Sequence, residues 1–280
     1  MKRGELLKKT LSLMLMLVLS AGLVLFSAPE SYAASSGKLI KSVKHYVKSG
    51  SKWKWNSSTT YKYNKKNDPV KIYMTSKVGK KKKYKVTCTI KYTYKNGKKT
   101  EAKQYRKENN GPNYLETKTT YDSKGRPSVV EFYDADDSSI IYSTSKYVYG
   151  KNGYITKIKG TNGDTVIKYK WNGKKAKALK SYLITDGEKF KMAQTSFNKK
   201  GFVYKPRVYT QADPVMIYTY KMKNGQVNTI NLEMQEGYDR YYEKYKISYT
   251  KKRIPQKRYR SMINGVVCGN YPDTIGTVWY

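Results

Sequence analysis

The chain has 280 residues and a formal charge of +37, and of its 57 basic residues only eight are Arg. Lys is a hydrated point charge without the planar fork that reads bases and phosphates, so the skew argues against sequence-specific nucleic-acid recognition. Aliphatics are sparse and Tyr, at 30 residues, is the main apolar resource, which weighs against a helix-rich core and favours pleated, half-buried surfaces.

The first elements form a leader. Lys2, Arg3, Lys8 and Lys9 make a basic start, Leu11 to Phe26 an apolar run, and Ser31 and Ala33 the small residues of a cleavage site. That is the layout of a secretory signal peptide over residues 1–33. The apolar run is short for a membrane anchor, which takes about 20 residues. Cleavage after Ala33 removes four basic and two acidic residues and leaves residues 34–280 with a charge of +35. No Pro-, Gly- or Ser-rich linker interrupts them, so one domain is expected.

"KLIKSVKHYVKSGSKWKW", residues 38–55, offers a helical stripe at Leu39, Ile40, Val43, Tyr46 and Val47 but parses better as a hairpin. "DPVKIY" at 68–73 places Pro at a strand start, where it is tolerated, and "DPVMIY" at 213–218 echoes it. In "KYKVTCTIKYTY", residues 83–94, Tyr84, Val86, Cys88, Ile90, Tyr92 and Tyr94 alternate with Lys and Thr. That period of two marks a strand with one buried face. Residues 241–249 alternate likewise. Asn-Gly pairs at 96–97, 110–111, 152–153, 162–163, 172–173, 224–225 and 264–265 read as hairpin turns, since both residues tolerate positive φ. "DSKGR" at 122–126 and "NKKG" at 198–201 read as longer hairpin loops.

Aromatics precede these turns at Tyr63, Tyr94, Tyr121, Tyr149, Trp171, Phe197, Tyr220 and Tyr249, at intervals of 22 to 31 residues. Each interval holds two strands, a loose repeat. The expected fold is all-β: a long antiparallel meander of β-hairpin repeats with about 14 to 18 strands, curved or wrapped because so many strands twist. A four-bladed propeller with two hairpins per blade is the alternative. "TTYDSKGRPSVVEFY", residues 119–133, carries Tyr121, Asp122, Gly125 and Arg126 in the Tyr-Asp-x-x-Gly-Arg pattern. It resembles the YD-type repeats of Rhs-like secreted proteins, and the resemblance implies a wrapping shell without catalytic residues.

Chemistry-bearing clusters are few. The single His, His45, has no second His to complete an ordinary metal site, and the acids Asp134, Asp136 and Asp137 lack the Gly and distant Glu of a calcium loop, with Ser139 and Ser145 standing there instead. No spacing calls for a metal, a cofactor or a catalytic constellation, so the chain reads as a non-enzyme. Cys88 and Cys268 form a possible pair for an oxidising compartment; a bridge would constrain the unfolded chain by about 4–5 kcal/mol in the entropy model.

Two binding functions follow. "KVGKKKKYK" gathers Lys80, Lys81, Lys82 and Lys83 between strands, a candidate contact for an anionic cell-envelope polymer or an anionic membrane surface. Trp53 and Trp55 lie on one strand face, with Trp171 and Trp279 as further aromatic platforms for a glycan. A structural scaffold is the third reading, and nothing identifies a protein partner. The expected place is outside the cell, at the wall where a wall polymer is the partner. Intact mass of the exported protein checks the leader: the mass of residues 34–280 is expected, and a retained residue 1–33 segment contradicts it.

Overall fold

The computed structural model describes residues 37–78, 82–151, 153–161, 163–173, 175–209, 215–236 and 238–268; the expected leader and Trp279 lie outside them. The first eight strands are β1 (Gly37–Ser49), β2 (Lys52–Tyr63), β3 (Pro69–Val78), β4 (Lys82–Lys95), β5 (Lys98–Glu108), β6 (Asn113–Tyr121), β7 (Pro127–Tyr133) and β8 (Ile141–Tyr149). They are followed by β9 (Ile155–Gly160), β10 (Gly163–Asn172), β11 (Lys175–Thr185), β12 (Glu188–Phe197), β13 (Val203–Val208), β14 (Val215–Lys223), β15 (Gln226–Glu236) and β16 (Asp239–Ile254). A helix, α1 (Gln256–Cys268), comes last.

Each strand pairs antiparallel with its neighbours in sequence, and β1 pairs with β16 from Gly37 opposite Ile254 to Val47 opposite Glu243. The meander expected from the sequence is therefore present, but it closes into a sixteen-stranded barrel. This corrects the open curved sheet and the propeller. The physical reason lies at the two ends of the strand set: full closure is what removes both sheet edges. Residues 39–47 are strand, as the hairpin reading required.

Strand parity sets what faces in. In β4, Val86, Cys88 and Ile90 are buried while Lys85 and Lys91 are exposed. The same parity crosses the closing seam, where Val43 lies opposite Ile247 on the inside and Lys44 opposite Lys246 on the outside. Apolar inside and Lys outside is the reverse of a transmembrane barrel, whose outer band is apolar. Each Lys facing hydrocarbon at mid-depth would cost about 2–4 kcal/mol.

The hairpins that follow even-numbered strands gather at one end, and α1 plugs that end. Tyr259, Met262, Ile263, Val266 and Val267 are spaced as one apolar helix face and all are buried. Pro255 caps the helix start, its carbonyl accepting the Tyr259 N–H at 3.0 Å. The pair at 264–265 is thus helical and not a turn, a correction of the sequence reading. Buried Asn264 explains its presence: Oδ1 accepts the Val203 N–H at 3.0 Å and Nδ2 donates to the Gly201 carbonyl at 3.2 Å. Gly37 is also required, because a Cβ there would lie 2.2 Å from Cβ of Tyr259.

Tyrosines tie the hairpins together near this end. The hydroxyl of Tyr92 donates to Pro69 O at 3.0 Å, Tyr149 to Pro127 O at 2.7 Å and Tyr169 to Ile155 O at 2.9 Å. Tyr220 and Tyr249 make the corresponding bonds to Val203 O and Val227 O. In each, a phenol on an even strand satisfies a carbonyl at the start of the strand before it, so a Tyr-rich core leaves these hydroxyls bonded.

Asp68, at the β2–β3 turn, fastens the plug. Its carboxylate lies 3.1 Å from Lys99 Nζ and 3.5 Å from Arg258 Nη2, and it accepts the Tyr94 hydroxyl at 2.8 Å. Arg258 also donates to Asn67 O at 2.6 Å. Burial, then Asp68, pushes the Tyr94 phenol up to about 12. Burial lowers the Lys99 ammonium against the pull of Asp68. Asp68→Ala would leave two cations without their buried partner and should cost about 3–5 kcal/mol, read as a lower urea midpoint. A change under about 0.5 kcal/mol, as for an ordinary surface site, contradicts this role.

Candidate functional site

Three features of the barrel can meet a ligand: the outer wall, the mouth opposite the plug, and the ring of turns around the plug. On the outer wall, Trp53 lies opposite Lys48 and Trp55 opposite Tyr46 in register. Lys244 Nζ stands 3.9 Å over the Trp53 ring and Lys83 Nζ 5.9 Å over the Trp55 ring. Trp53 is 38% exposed. Both Trp residues therefore face outward, sheathed by ammonium groups, and neither packs the core. Burial, with like charges on Lys246 and Lys221, lowers the Lys244 ammonium, a sign of how crowded the cations are.

The Lys80–Lys83 run is only partly within view. Lys80 and Lys81 lie outside the described residues, and Lys82 is described only as part of β4. Lys83 is exposed and sits opposite Lys77, like charge against like. Cys88 is buried on the inner face of β4 opposite Ile72. The side chain of Cys268, at the end of α1, lies outside the described residues, and with it the proposed pairing.

The mouth is lined by polar groups that the sequence reading did not join. His45 stacks on Tyr245 with ring centroids 4.6 Å apart. Asn56 Nδ2 donates to its Nδ1 at 3.1 Å, and its Nε2 lies 3.1 Å from Glu243 Oε2. Tyr245 donates to the same carboxylate. Burial raises the Glu243 carboxyl, but the His45 and Tyr245 contacts outweigh it and hold the group below its ordinary value. Further round the inner wall, Arg106 bridges Glu108 at 2.7 Å and Glu116 at 2.9 Å, and Gln104 donates to Glu116 at 2.8 Å. A pocket of about 290 Å³ opens beside Glu243, walled by Val47, Lys48, Met234, Arg240 and Tyr241 among others.

The acidic loop spends its carboxylates on its own backbone. Asp134 Oδ1 accepts the N–H groups of Asp136 and Asp137, and Asp137 Oδ1 accepts both N–H and hydroxyl of Ser139. Among the described residues no three His, Cys, Asp or Glu side chains converge as a metal site.

Neither a protein-family model nor a curated protein sequence matches the chain. Solved structures do. A porin-like protein from Bacteroides uniformis has a TM-score of 0.52 at 13% identity, with 75% of this chain and 96% of that one covered. A porin-like protein from Bacteroides vulgatus has a TM-score of 0.34 at 11% identity, covering 77% and 100%. The first likeness shows a shared barrel fold. It also overturns the YD-repeat resemblance: the aromatic-and-turn pattern reflects hairpins around one closed sheet, a geometry on which unrelated sequences converge.

The two part-buried contacts that lower the Glu243 carboxyl add stability that is present above its unfolded pKa and lost as pH falls through the folded one. Glu243→Gln should cost roughly 1–3 kcal/mol at pH 7, and the difference from wild type should narrow below about pH 4. Urea midpoints across pH check this; an equal difference at pH 7 and pH 3 contradicts it.

Proposed function

We propose that the protein is a non-catalytic binding protein of the cell envelope that holds anionic polymers against its lysine-covered exterior. The observation that carries this reading is the parity of the strands, which turns Lys outward around a closed wall while Tyr and aliphatics fill the interior. Near an anionic surface each Lys contributes about 1 kcal/mol, screened beyond about 8–10 Å at ordinary salt. Supporting the envelope as the place are the expected leader over residues 1–33 and a barrel fold shared with a porin-like protein. The wall itself is built for water and polyanions, not for hydrocarbon.

A second reading keeps one observation of its own: Trp53 and Trp55 stand on the exterior, where a neutral glycan could stack. A salt series separates the two. Binding of the purified protein to anionic wall polymer should fall linearly in log affinity against log salt, as counterion release requires. Salt-insensitive binding to a neutral glycan, abolished in Trp53→Ala/Trp55→Ala, would replace the polyanion reading.

A further inference from the structure

The charge on this barrel is not spread evenly between its ends. Every hairpin at the plugged end, wherever its turn is described, carries exposed Lys: Lys65 and Lys66 after β2, Lys199 and Lys200 after β12, and the rest singly or in pairs between them. Lys251 and Lys252 add to the ring just before α1. Among the described residues of these turns the carboxylates are Asp68 and Asp122. Asp68 is buried under Lys99 and Arg258, and Asp122 is bound by Arg126 at 2.6 Å. The crown lysines instead meet neutral groups. Lys66 donates to Gly97 O at 3.3 Å and lies 3.8 Å over the Tyr94 ring, and Lys98 donates to Ser123 O at 3.3 Å.

The opposite rim is different in kind. Asp134, Asp136, Asp137, Asp186, Glu188 and Asp239 sit in or beside its turns and offset the exposed Lys52, Lys77, Lys83, Lys107 and Lys189 there. Of the twelve large apolar side chains that are exposed among the described residues, nine lie at or within three residues of that rim, Tyr142 and Tyr238 among them. The molecule is thus a barrel with a cationic, mostly polar end and an apolar-studded end where carboxylates stand among the lysines.

We propose that the lysine crown around the plugged end, rather than the Lys80–Lys83 run, is the main contact for a linear phosphodiester polymer. The inference rests on the polyanion-binding function proposed above and assigns it a place. Successive hairpins are two strands apart, about 10 Å at ordinary strand spacing. That is close to one Debye length at ordinary salt, so neighbouring turns act on a polymer together. Lys suits this task because point charges on flexible stems follow a chain of phosphates without demanding one register. A flexible polymer fits better than a bilayer, since among the described residues only Val148, Tyr204 and Met222 of the exposed large apolar side chains lie on the crown half.

Two sixfold variants of the full mature protein test the placement. One replaces Lys65, Lys66, Lys199, Lys200, Lys251 and Lys252 by Gln. The other removes the same charge elsewhere, at Lys52, Lys54, Lys77, Lys83, Lys85 and Lys189. The probe is poly(glycerol phosphate), with phosphatidylglycerol vesicles at matched phosphate as the lipid arm, and thermal midpoints confirm that both variants fold. The crown variant should lose at least about tenfold in affinity at 0.15 M salt, and its log–log salt slope should flatten by about 2 to 4, at roughly 0.7 per lost contact. The comparison variant should stay within about threefold of wild type. Equal losses in the two variants, or a larger loss in the second, overturn the crown while leaving polyanion binding intact. Wild type that binds the polymer at no salt concentration overturns both. Tighter binding to the vesicles than to the polymer overturns the choice of a polymer as partner.

Discussion

Lys and apolar side chains alternate along the strands, and from Ser42 to Val47 the β1–β16 seam carries that alternation across the closure of the barrel. A slip of one residue in that seam would bring Lys44 and Lys246 inside and put Val43 and Ile247 in water. Desolvating unpaired ammonium groups is among the most costly changes a fold can suffer. Closure and orientation are therefore one constraint. From it follow a water-facing wall, a Tyr-rich interior, and a surface charge that cannot relax inward.

The interior divides into two halves with different chemistry. The plugged half is apolar and packed, with α1 laid against Leu39, Ile40, Phe202, Val203 and Val227. Asn264 and Asp68 spend their polar atoms on the plug, on Val203, Gly201, Lys99 and Arg258. The open half holds His45, Glu243, Arg106 and Glu116 in pairs that keep partial contact with solvent. Ion pairs of that kind gain little net stability and are best understood as what makes a wet, inward-facing wall tolerable. The fold is thus anchored at one end and open to solvent chemistry at the other.

Much of this was legible beforehand, for a reason that is local. Period-two alternation and Asn-Gly turns are properties of adjacent residues, and they were sufficient for the strands, the hairpins and the meander. Closure is not local: nothing in β1 or β16 alone says that residues 37 and 254 meet. The plug was hidden by its Asn-Gly pair, although Tyr259, Met262, Ile263, Val266 and Val267 already had helical spacing. His45 and Glu243 are 198 positions apart, and only the seam unites them. Lys80–Lys83 drew attention as the densest run in the sequence, whereas the lysines of the crown are scattered through the chain and become neighbours only when the hairpins are stacked in a ring. Trp53 and Trp55 stand outside because the β1–β2 register sets them opposite Lys48 and Tyr46.

Amine footprinting of the detergent-free protein, read by mass spectrometry, tests the orientation of the strands most directly. The wall residues Lys44, Lys91, Lys168 and Lys180 should react as freely as solvated lysines while Lys99, buried against Asp68, is protected. Protection of the wall lysines together with a reactive Lys99 would mean that the strands face the other way, and would contradict an exterior covered by lysine.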